Sequence, residues 1–366
     1  MKRLLCVLSS MNAGGAETFL MKLYRHLDRT RYQMDFCINV SEKCFYEDEI
    51  LALGGKIFRI PAKSHDLKEF KTQLQRVVSE NAYEYVLRIT SSGMGFLDLK
   101  LAKKAGAKVC VARSSNSSDG AGWKQWLAHR LGRLLYASYV DVKIAPSDLA
   151  AQYTFGLAAY RAGEVVILPN AVDLDVFHYD LEGRNQIREE LEIESDALLV
   201  GHVGRLDVQK NHGQLLRVFR TIEQAQPKSQ LVLVGHGTLE QQLRQEAAAL
   251  GMSEKVIFTG VRSDIPQLLS AMDVFVFPSL YEGMPNTVIE AQATGLPCVI
   301  ADTITREADI TGLVRYLSLQ DTPEAWAETA LQAAQIPRKD TKQAFIENKY
   351  DIQSSVDAFV RLCFGE

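Results

Sequence analysis

Short apolar runs alternate with amphipathic stretches along the first half of the chain. An apolar run of this kind predicts a buried strand, and helical spacing of apolar positions between the runs predicts helices. Strands that are apolar on both faces are typical of parallel sheets with helices on each side. The predicted strands are RLLCVLS, YQMDFCIN, YEYVLRI, KVCVARS and VDVKIAPS, and the predicted helices are AETFLMKLYRHL, KEFKTQLQRVVSEN, KLAKKAG and GWKQWLAHRLGRLLYASY.

A second series follows EVVILPNAVDLDVFHYD, which reads as a strand that runs into a linker. Its predicted strands are ALLVGHVGRL, SQLVLVGHG, KVIFTG, DVFVFPS and PCVIAD, and its predicted helices are residues 212–225, LEQQLRQEAAALG, IPQLLSAM and NTVIEAQATG.

The two series predict an α/β fold of two Rossmann-like, doubly wound domains, residues 1–170 and 171–349, that face a central cleft. The last helical stretch, DIQSSVDAFVRLCF, is long enough to cross between domains, so we expect residues 350–366 to pack back on the first domain. Strand ends that face a shared cleft make a site for a large phosphorylated ligand.

The amino-acid composition limits which classes of protein this chain can belong to. The 366 residues are 47% hydrophobic, and no apolar run reaches membrane-spanning length. The start, MKRLLCVLSSMNAGG, fits a first buried strand better than a signal peptide, because its apolar run is short and no small-residue cleavage site follows. The six cysteines form no C-x-x-C pair, so neither zinc nor redox chemistry is indicated, and buried free thiols in a reducing cytoplasm are expected.

Charge divides the chain unevenly. Residues 1–170 carry 24 Lys and Arg against 16 Asp and Glu, a net charge of +8, whereas residues 171–366 carry 17 against 29, a net charge of −12. The first half would attract anionic partners, although chance asymmetry is an alternative.

The segment Trp123–Tyr139 is basic and amphipathic. It places Trp123, Trp126 and four leucines among Lys124, His129, Arg130 and Arg133, and it contains no acid. Such a helix can rest on an anionic membrane surface. The alternative is a core-facing helix with a solvated basic face, and the sequence leaves both open.

A glycine turn, NAGGAE, follows the first predicted strand. Gly14 and Gly15 permit close backbone approach, and the helix behind them offers N–H groups to an anion. The turn lacks the G-x-G-x-x-G pattern, so a nicotinamide site is not indicated. A simple tight turn is the alternative.

Two cations lie in GRLDVQKN, directly after a strand of the second domain. Arg205 offers a planar fork and Lys210 a point charge, which together suit a diphosphate. A solvated loop is the alternative. The turns VGHG and TGVRSDI end the next two strands and could hold a nucleotide base through backbone groups, or could be turns alone.

Two carboxylates, Glu282 and Glu290, lie in PSLYEGMPNTVIEAQATGLP. The helix after the loop begins near Pro285 or Asn286, so its N-terminus faces the cleft and favours phosphate. Glu290, early on that helix, can bind neutral hydroxyls such as those of a ribose. Glu282, on the loop, reaches toward whatever the phosphate carries. The alternatives are that Glu290 is an acid favoured in the first turns of a helix, and that Glu282 is a solvated loop carboxylate.

The order of these motifs resembles the family-4 glycosyltransferases, which have the GT-B fold. Glu282 and Glu290 match that family's E-x7-E motif, and the resemblance covers nearly the whole chain. Within the family, the chain looks most like bacterial enzymes that build exopolysaccharide, capsule or O-antigen chains.

The resemblance implies a role for each site residue. Arg205 and Lys210 would bind the donor diphosphate and stabilise it as it leaves, Glu282 would hold a donor-sugar hydroxyl, and Glu290 would bind the ribose. The other implied donor contacts are loop glycines, residues that frame the base and residues at the helix N-terminus: Gly14, Gly15, Gly204, Gly235, Val261, Arg262, Gly283, Met284, Pro285, Asn286 and Thr287.

One departure concerns the first domain. Related enzymes often carry a histidine in a segment similar to CVARSSNSS, where this chain has Ser115. We expect Asn116 to contribute a hydrogen bond there, or the main chain to suffice.

The expected activity is transfer of a sugar, with retention of anomeric configuration, from a nucleotide sugar to a saccharide acceptor. UDP is the expected nucleotide and the acceptor is expected to be lipid-linked. The resemblance implies no metal and no cofactor beyond the donor substrate, no nucleic acid partner, and a cytoplasmic protein at the inner face of the membrane. The alternatives are an epimerase or phosphorylase of the same fold and a non-catalytic nucleotide-sugar-binding subunit. The sequence does not fix the donor sugar, the acceptor, the linkage or the oligomeric state.

Overall fold

The computed structural model describes residues 1–12, 14–115, 122–282 and 284–366. These residues divide into two compact units. The first unit is Met1–Ala171 together with Lys349–Glu366, and the second is Val172–Asn348.

Each unit is built on a parallel sheet. The strands are β1 (Lys2–Val7), β2 (Tyr32–Ile38), β3 (Ile57–Arg59), β4 (Tyr85–Thr90), β5 (Val109–Ser114), β6 (Val142–Ala145), β7 (Val165–Ile167), β8 (Leu198–Val203), β9 (Ser229–Val234), β10 (Val256–Gly260), β11 (Val274–Phe277), β12 (Cys298–Ala301) and β13 (Val314–Leu317). The first sheet has the order β3-β2-β1-β4-β5-β6-β7 and the second β10-β9-β8-β11-β12-β13.

Helices connect the strands. They are α1 (Gly15–His26), α2 (Glu47–Ala52), α3 (Leu67–Glu80), α4 (Phe96–Lys104), α5 (Trp123–Tyr136), α6 (Asp148–Phe155), α7 (Leu157–Arg161), α8 (Leu181–Glu190), α9 (His212–Ala225), α10 (Glu240–Ala249), α11 (Ile265–Ala271), α12 (Asn286–Ala293), α13 (Pro323–Ala334), α14 (Lys342–Glu347) and α15 (Ile352–Phe364). The predicted α/β class with two Rossmann-like sheets is confirmed.

The first sheet is covered on both faces. Leu4 and Cys6 of β1 pack in a core that includes buried residues of α1 and α15. Leu5 and Val7 point the other way, into a core with buried residues of α3, α4 and α6. The alternation along β1 therefore reflects the two-residue period of a strand that is buried on both sides. All six cysteines are buried and free, as expected.

Strand order reverses once in each sheet, between β1 and β4 in the first and between β8 and β11 in the second. At such a reversal, the loops that leave the carboxyl ends of the two central strands diverge to opposite faces of the sheet. The crevice between them is where open α/β sheets bind ligands. The β8–β11 reversal contains the predicted diphosphate and E-x7-E residues.

Candidate active site

The loops after β8 and β11 are held together at the reversal of the second sheet. The backbone N–H of Leu280 donates to the Gln209 carbonyl at 2.8 Å. The Gln209 side-chain amide donates to the Tyr281 carbonyl at 2.9 Å. These two bonds fix the short helical turn that carries Lys210 against the loop that carries Glu282.

Lys210 and Glu282 form an ion pair, with Nζ 2.6 Å from Oε1. Their side chains are only 16% and 9% exposed, and Lys210 Nζ lies 4.7 Å from the centre of the Phe277 ring. Asp207 caps the turn by accepting the Lys210 backbone N–H at 3.3 Å. The structure thus brings together two predicted site residues that lie on different loops.

Arg205 differs from Lys210 in its surroundings. Its side chain is 77% exposed, and its guanidinium Nε lies 3.7 Å from Oδ2 of Asp207. A mostly solvated arginine beside the crevice can turn toward an incoming anion without losing a buried partner.

The glycine loops pack against each other more closely than any side chain would allow. Gly235 has φ +136°, and a Cβ there would lie 2.9 Å from the Gly204 carbonyl carbon. A Cβ on Gly237 would lie 2.6 Å from the Leu206 carbonyl carbon. Loop packing alone therefore requires these glycines. The expected contact of Gly204 and Gly235 with the donor stays a prediction.

The loop after β10 carries Val261, which is exposed, and Arg262, whose side chain forms two ion pairs. The Arg262 guanidinium binds Asp264 at 2.5 and 2.8 Å and Glu190 of α8 at 2.5 and 3.0 Å. These carboxylates, Asp264 foremost, raise the pKa of Arg262. Its side chain thus ties the loop to α8, so any contact of Arg262 with a base would come from its backbone.

Helix α12 begins beside Glu282, with Pro285 as its N-cap. Met284, Asn286, Thr287 and Glu290 are all partly exposed along this loop and the first turns. The N-terminal N–H groups of a helix favour an anion at this end. Gly283 lies outside the described residues.

Two buried histidines behind Lys210 were not predicted as site residues. His202 of β8 donates from Nδ1 to the Val276 carbonyl at 3.0 Å, and its ring centre lies 4.6 Å from that of His212. Burial lowers the pKa of His202 well below its usual value and that of His212 to about 4. Both rings are therefore neutral at pH 7. One sequence feature could have indicated His202 as a buried site residue: it is a histidine within the otherwise apolar strand LLVGHV.

In the first unit, Gly14 caps α1 and Gly15 is its first residue. A Cβ on Gly14 would lie 3.2 Å from Cδ of Glu17, whereas one on Gly15 would meet open space. Burial raises the pKa of Glu17. A Cβ on Gly14 would thus meet only the flexible end of the Glu17 side chain, and the expected phosphate contact of this turn stays a prediction. Ser115 is exposed, and Asn116 lies outside the described residues.

Helix α5 exposes its apolar side chains. Trp123 is 71% and Leu134 81% exposed, while His129 and Gly132 are the buried residues of the helix. The core-facing interpretation of Trp123–Tyr139 is therefore wrong. The α-helix ends at Tyr136 rather than Tyr139, and a short 3-10 turn follows.

The described ranges, 1–12, 14–115, 122–282 and 284–366, contain neither a candidate metal site nor a helix that could span a membrane. No three His, Cys, Asp or Glu residues there are grouped so that they could hold a metal ion. Among the helices described, none has both the length and the apolarity to cross a membrane.

Comparison with known proteins agrees with this architecture. The family model "Glycosyltransferase Family 4" matches residues 13–176, and the model "Glycosyl transferases group 1" matches residues 183–351. EpsF of Bacillus subtilis (strain 168), which bears the name of a glycosyltransferase, is 36% identical over 370 residues, 99% of this chain and 96% of EpsF.

Two further proteins are similar. The UDP-Gal:alpha-D-GlcNAc-diphosphoundecaprenol alpha-1,3-galactosyltransferase of Escherichia coli is 34% identical over 142 residues, which cover 38% of this chain and 37% of that enzyme. The crystal structure of Anabaena HepE in complex with UDP covers 100% of both chains with a TM-score of 0.78 at 20% identity. The chain therefore belongs to the group 1 and family 4 glycosyltransferases and has their GT-B fold.

Proposed function

We propose that the protein is a retaining glycosyltransferase that moves a sugar from a UDP-sugar to a lipid-linked saccharide in the synthesis of bacterial surface polysaccharide. The observation that carries the donor site is the Lys210–Glu282 pair at the β8–β11 reversal, beside the N-terminus of α12. The cation and the helix N-terminus suit the diphosphate of a nucleotide sugar, and the carboxylate suits its sugar hydroxyls.

The chemistry follows from where charge develops. As the sugar departs from the diphosphate, the sugar gains oxocarbenium character and negative charge grows on the leaving oxygens. Lys210, Arg205 and the N-terminus of α12 stabilise that negative charge more in the transition state than in the ground state. Glu282 orients the sugar and Glu290 holds the ribose. Protein cations take the role that a metal plays elsewhere, so we propose that no metal is needed.

The nature of donor and acceptor has support from relatives. HepE was crystallised with UDP, and the Escherichia coli relative is named for a UDP-galactose donor and a diphosphoundecaprenol-linked acceptor. We extend these to the present chain as a UDP-sugar and a lipid-linked saccharide. Asn116, Gly14 and Gly15 are proposed to serve the same reaction from the first unit.

A lipid-linked acceptor places the reaction at a membrane surface, and α5 suits that position. Trp123, Trp126 and Leu134 are exposed, and Arg130 lies 4.8 Å above the Trp126 ring. Tryptophan and basic side chains on one helix favour the interface of an anionic bilayer. We propose that the cytoplasmic protein docks on the inner face of the membrane through this helix.

The proposal is tested first by binding. Purified protein is titrated calorimetrically with UDP-, GDP- and ADP-sugars in turn, without acceptor. The proposal expects saturable binding of at least one UDP-sugar, and loss of that binding in the Lys210→Met/Glu282→Gln double variant. Saturable binding of only GDP- or ADP-sugars would overturn the choice of nucleotide. Absence of any nucleotide-sugar binding would overturn the proposed function.

A further inference from the structure

The Lys210–Glu282 ion pair affects the relative affinity of the site for different ligands. Both side chains are largely buried, Nζ and Oε1 are 2.6 Å apart, and the two loops are bonded through Gln209 to Leu280 and Tyr281. A buried charge is tolerated while its partner is present, and it becomes costly when the partner is taken away. Lys210 and Glu282 therefore hold two opposite charges that satisfy each other.

An intact nucleotide sugar replaces both partners at once. Its diphosphate accepts hydrogen bonds from the Lys210 ammonium, and a sugar hydroxyl donates to the Glu282 carboxylate. A nucleoside diphosphate supplies only the first of these. It would draw Lys210 away from Glu282 and leave a carboxylate that is 9% exposed, for which the described residues show no other hydrogen-bond donor.

We propose, resting on the proposed function, that the Lys210–Glu282 ion pair makes the site select the intact sugar donor over the nucleoside diphosphate product. Glu282 acts here as a specificity-determining residue. After transfer, the sugar no longer donates to Glu282, so the carboxylate competes with the diphosphate for Lys210 and favours product release. This would limit inhibition by the product.

The test compares two ligands in one variant. UDP and the UDP-sugar that the wild type binds are each titrated into wild type and Glu282→Gln by calorimetry, without acceptor. Glutamine is neutral, so in this variant Lys210 breaks no ion pair when it turns toward the diphosphate. We expect UDP to bind about tenfold more tightly to Glu282→Gln than to wild type, and the UDP-sugar about tenfold more weakly.

A matched control separates this effect from a general loss of negative charge. Glu223 of α9 pairs with Arg220 at 2.8 Å and lies outside the proposed machinery. Glu223→Gln should change the affinities for UDP and UDP-sugar by the same small factor. Opposite shifts for the two ligands in Glu282→Gln support the proposal, and parallel shifts or no shift overturn it.

The wild type provides a second test that needs no variant. A free monosaccharide can supply the hydroxyl that UDP lacks. UDP is therefore titrated in buffer saturated in turn with glucose, galactose, mannose or N-acetylglucosamine. The proposal expects at least one sugar to tighten UDP binding, and no coupling with any of them would contradict it. A wild type that binds neither UDP nor any UDP-sugar would instead bring down the proposed function.

Discussion

Gly132 of α5 lies so close to Gly93 that a Cβ on Gly132 would sit 2.5 Å from the Gly93 carbonyl carbon. The converse also holds, because a Cβ on Gly93 would lie 2.6 Å from the backbone nitrogen of Arg133. His129 adds a bond, since its Nδ1 accepts the Gly93 N–H at 3.0 Å. Helix α5 thus rests on the first unit through its glycine and histidine face, which leaves its tryptophans and leucines outside.

This close approach predicts a strict requirement at position 132. Gly132→Val should destabilise the protein by about 1–3 kcal/mol, because the added atoms overlap backbone that cannot move aside. Urea unfolding measures the change. Gly213→Ala, in the first turn of α9, where the atoms nearest to the new Cβ lie at 3.5 Å, should not destabilise the protein. Equal stabilities of the two variants would show that α5 is not held by this contact.

The exposed face of α5 predicts membrane binding that depends on charge. The Lys124→Glu/Arg130→Glu variant should bind phosphatidylglycerol vesicles at least tenfold more weakly than wild type, since each basic residue contributes about 1 kcal/mol near an anionic surface. Added salt should weaken wild-type binding. Cosedimentation measures both effects. UDP binding should persist, and Lys228→Glu in the second unit should leave vesicle binding intact. If the α5 variant bound the vesicles as tightly as wild type does, α5 would have no role in membrane binding.

Much of the fold follows from the sequence because buried parallel strands are apolar throughout. Helix α9 coincides with the helix expected near residues 212–225, and α12 begins at Asn286, where a start near Pro285 or Asn286 was expected. The short strands β3 and β13 were not predicted. Each is an edge strand with partly exposed side chains, so neither forms an apolar run. Helix α13 was also not predicted, although Thr322 followed by Pro323 is typical of the start of a helix.

The sequence indicates the candidate site residues one by one, but it does not predict the geometry in which they meet. Lys210 and Glu282 were each expected in it, yet they lie 72 positions apart and meet only because β8 and β11 are neighbours in the sheet. Strand order depends on packing of whole helices and strands, which a local pattern does not encode. The burial of His202 and His212 behind Lys210 depends on the same packing.

The two predicted cations should respond differently to removal. Arg205→Ala and Lys210→Ala should each cost about 2–4 kcal/mol of transition-state stabilisation, measured as kcat/KM for transfer. Only Lys210→Ala should also lower the free energy of unfolding, because it leaves Glu282 buried without its cation, whereas Arg205 is mostly solvated. Near-wild-type turnover in both variants would show that neither Arg205 nor Lys210 belongs to the donor site.

The buried histidine pair predicts loss of stability in mild acid. The pKa of His212 is about 4 in the folded protein and near 6.5 when unfolded, so the neutral ring contributes its full stability above pH 6.5 and loses it as pH falls through 4. His202, Lys210 and Asp207 are the titratable groups that act on it. This difference corresponds to about 3 kcal/mol.

Urea unfolding between pH 7 and pH 4 checks this expectation. His212→Phe should show a shallower fall in the free energy of unfolding than wild type. His26→Gln, a change at an exposed histidine, should follow the wild-type curve. A His212→Phe curve parallel to that of wild type would show that this ring does not drive the acid sensitivity.

The most direct measurement of the central claim is the product of a complete reaction. Purified protein is incubated with the UDP-sugar that it binds and with N-acetylglucosaminyl-diphosphoundecaprenol in anionic vesicles, in the presence of EDTA. NMR of the product then gives the configuration at the transferred anomeric carbon. We expect stoichiometric UDP and a lipid-linked disaccharide whose new linkage keeps the configuration of the donor. An inverted linkage would contradict the retaining mechanism, and epimerised UDP-sugar without transfer would contradict the assignment as a glycosyltransferase.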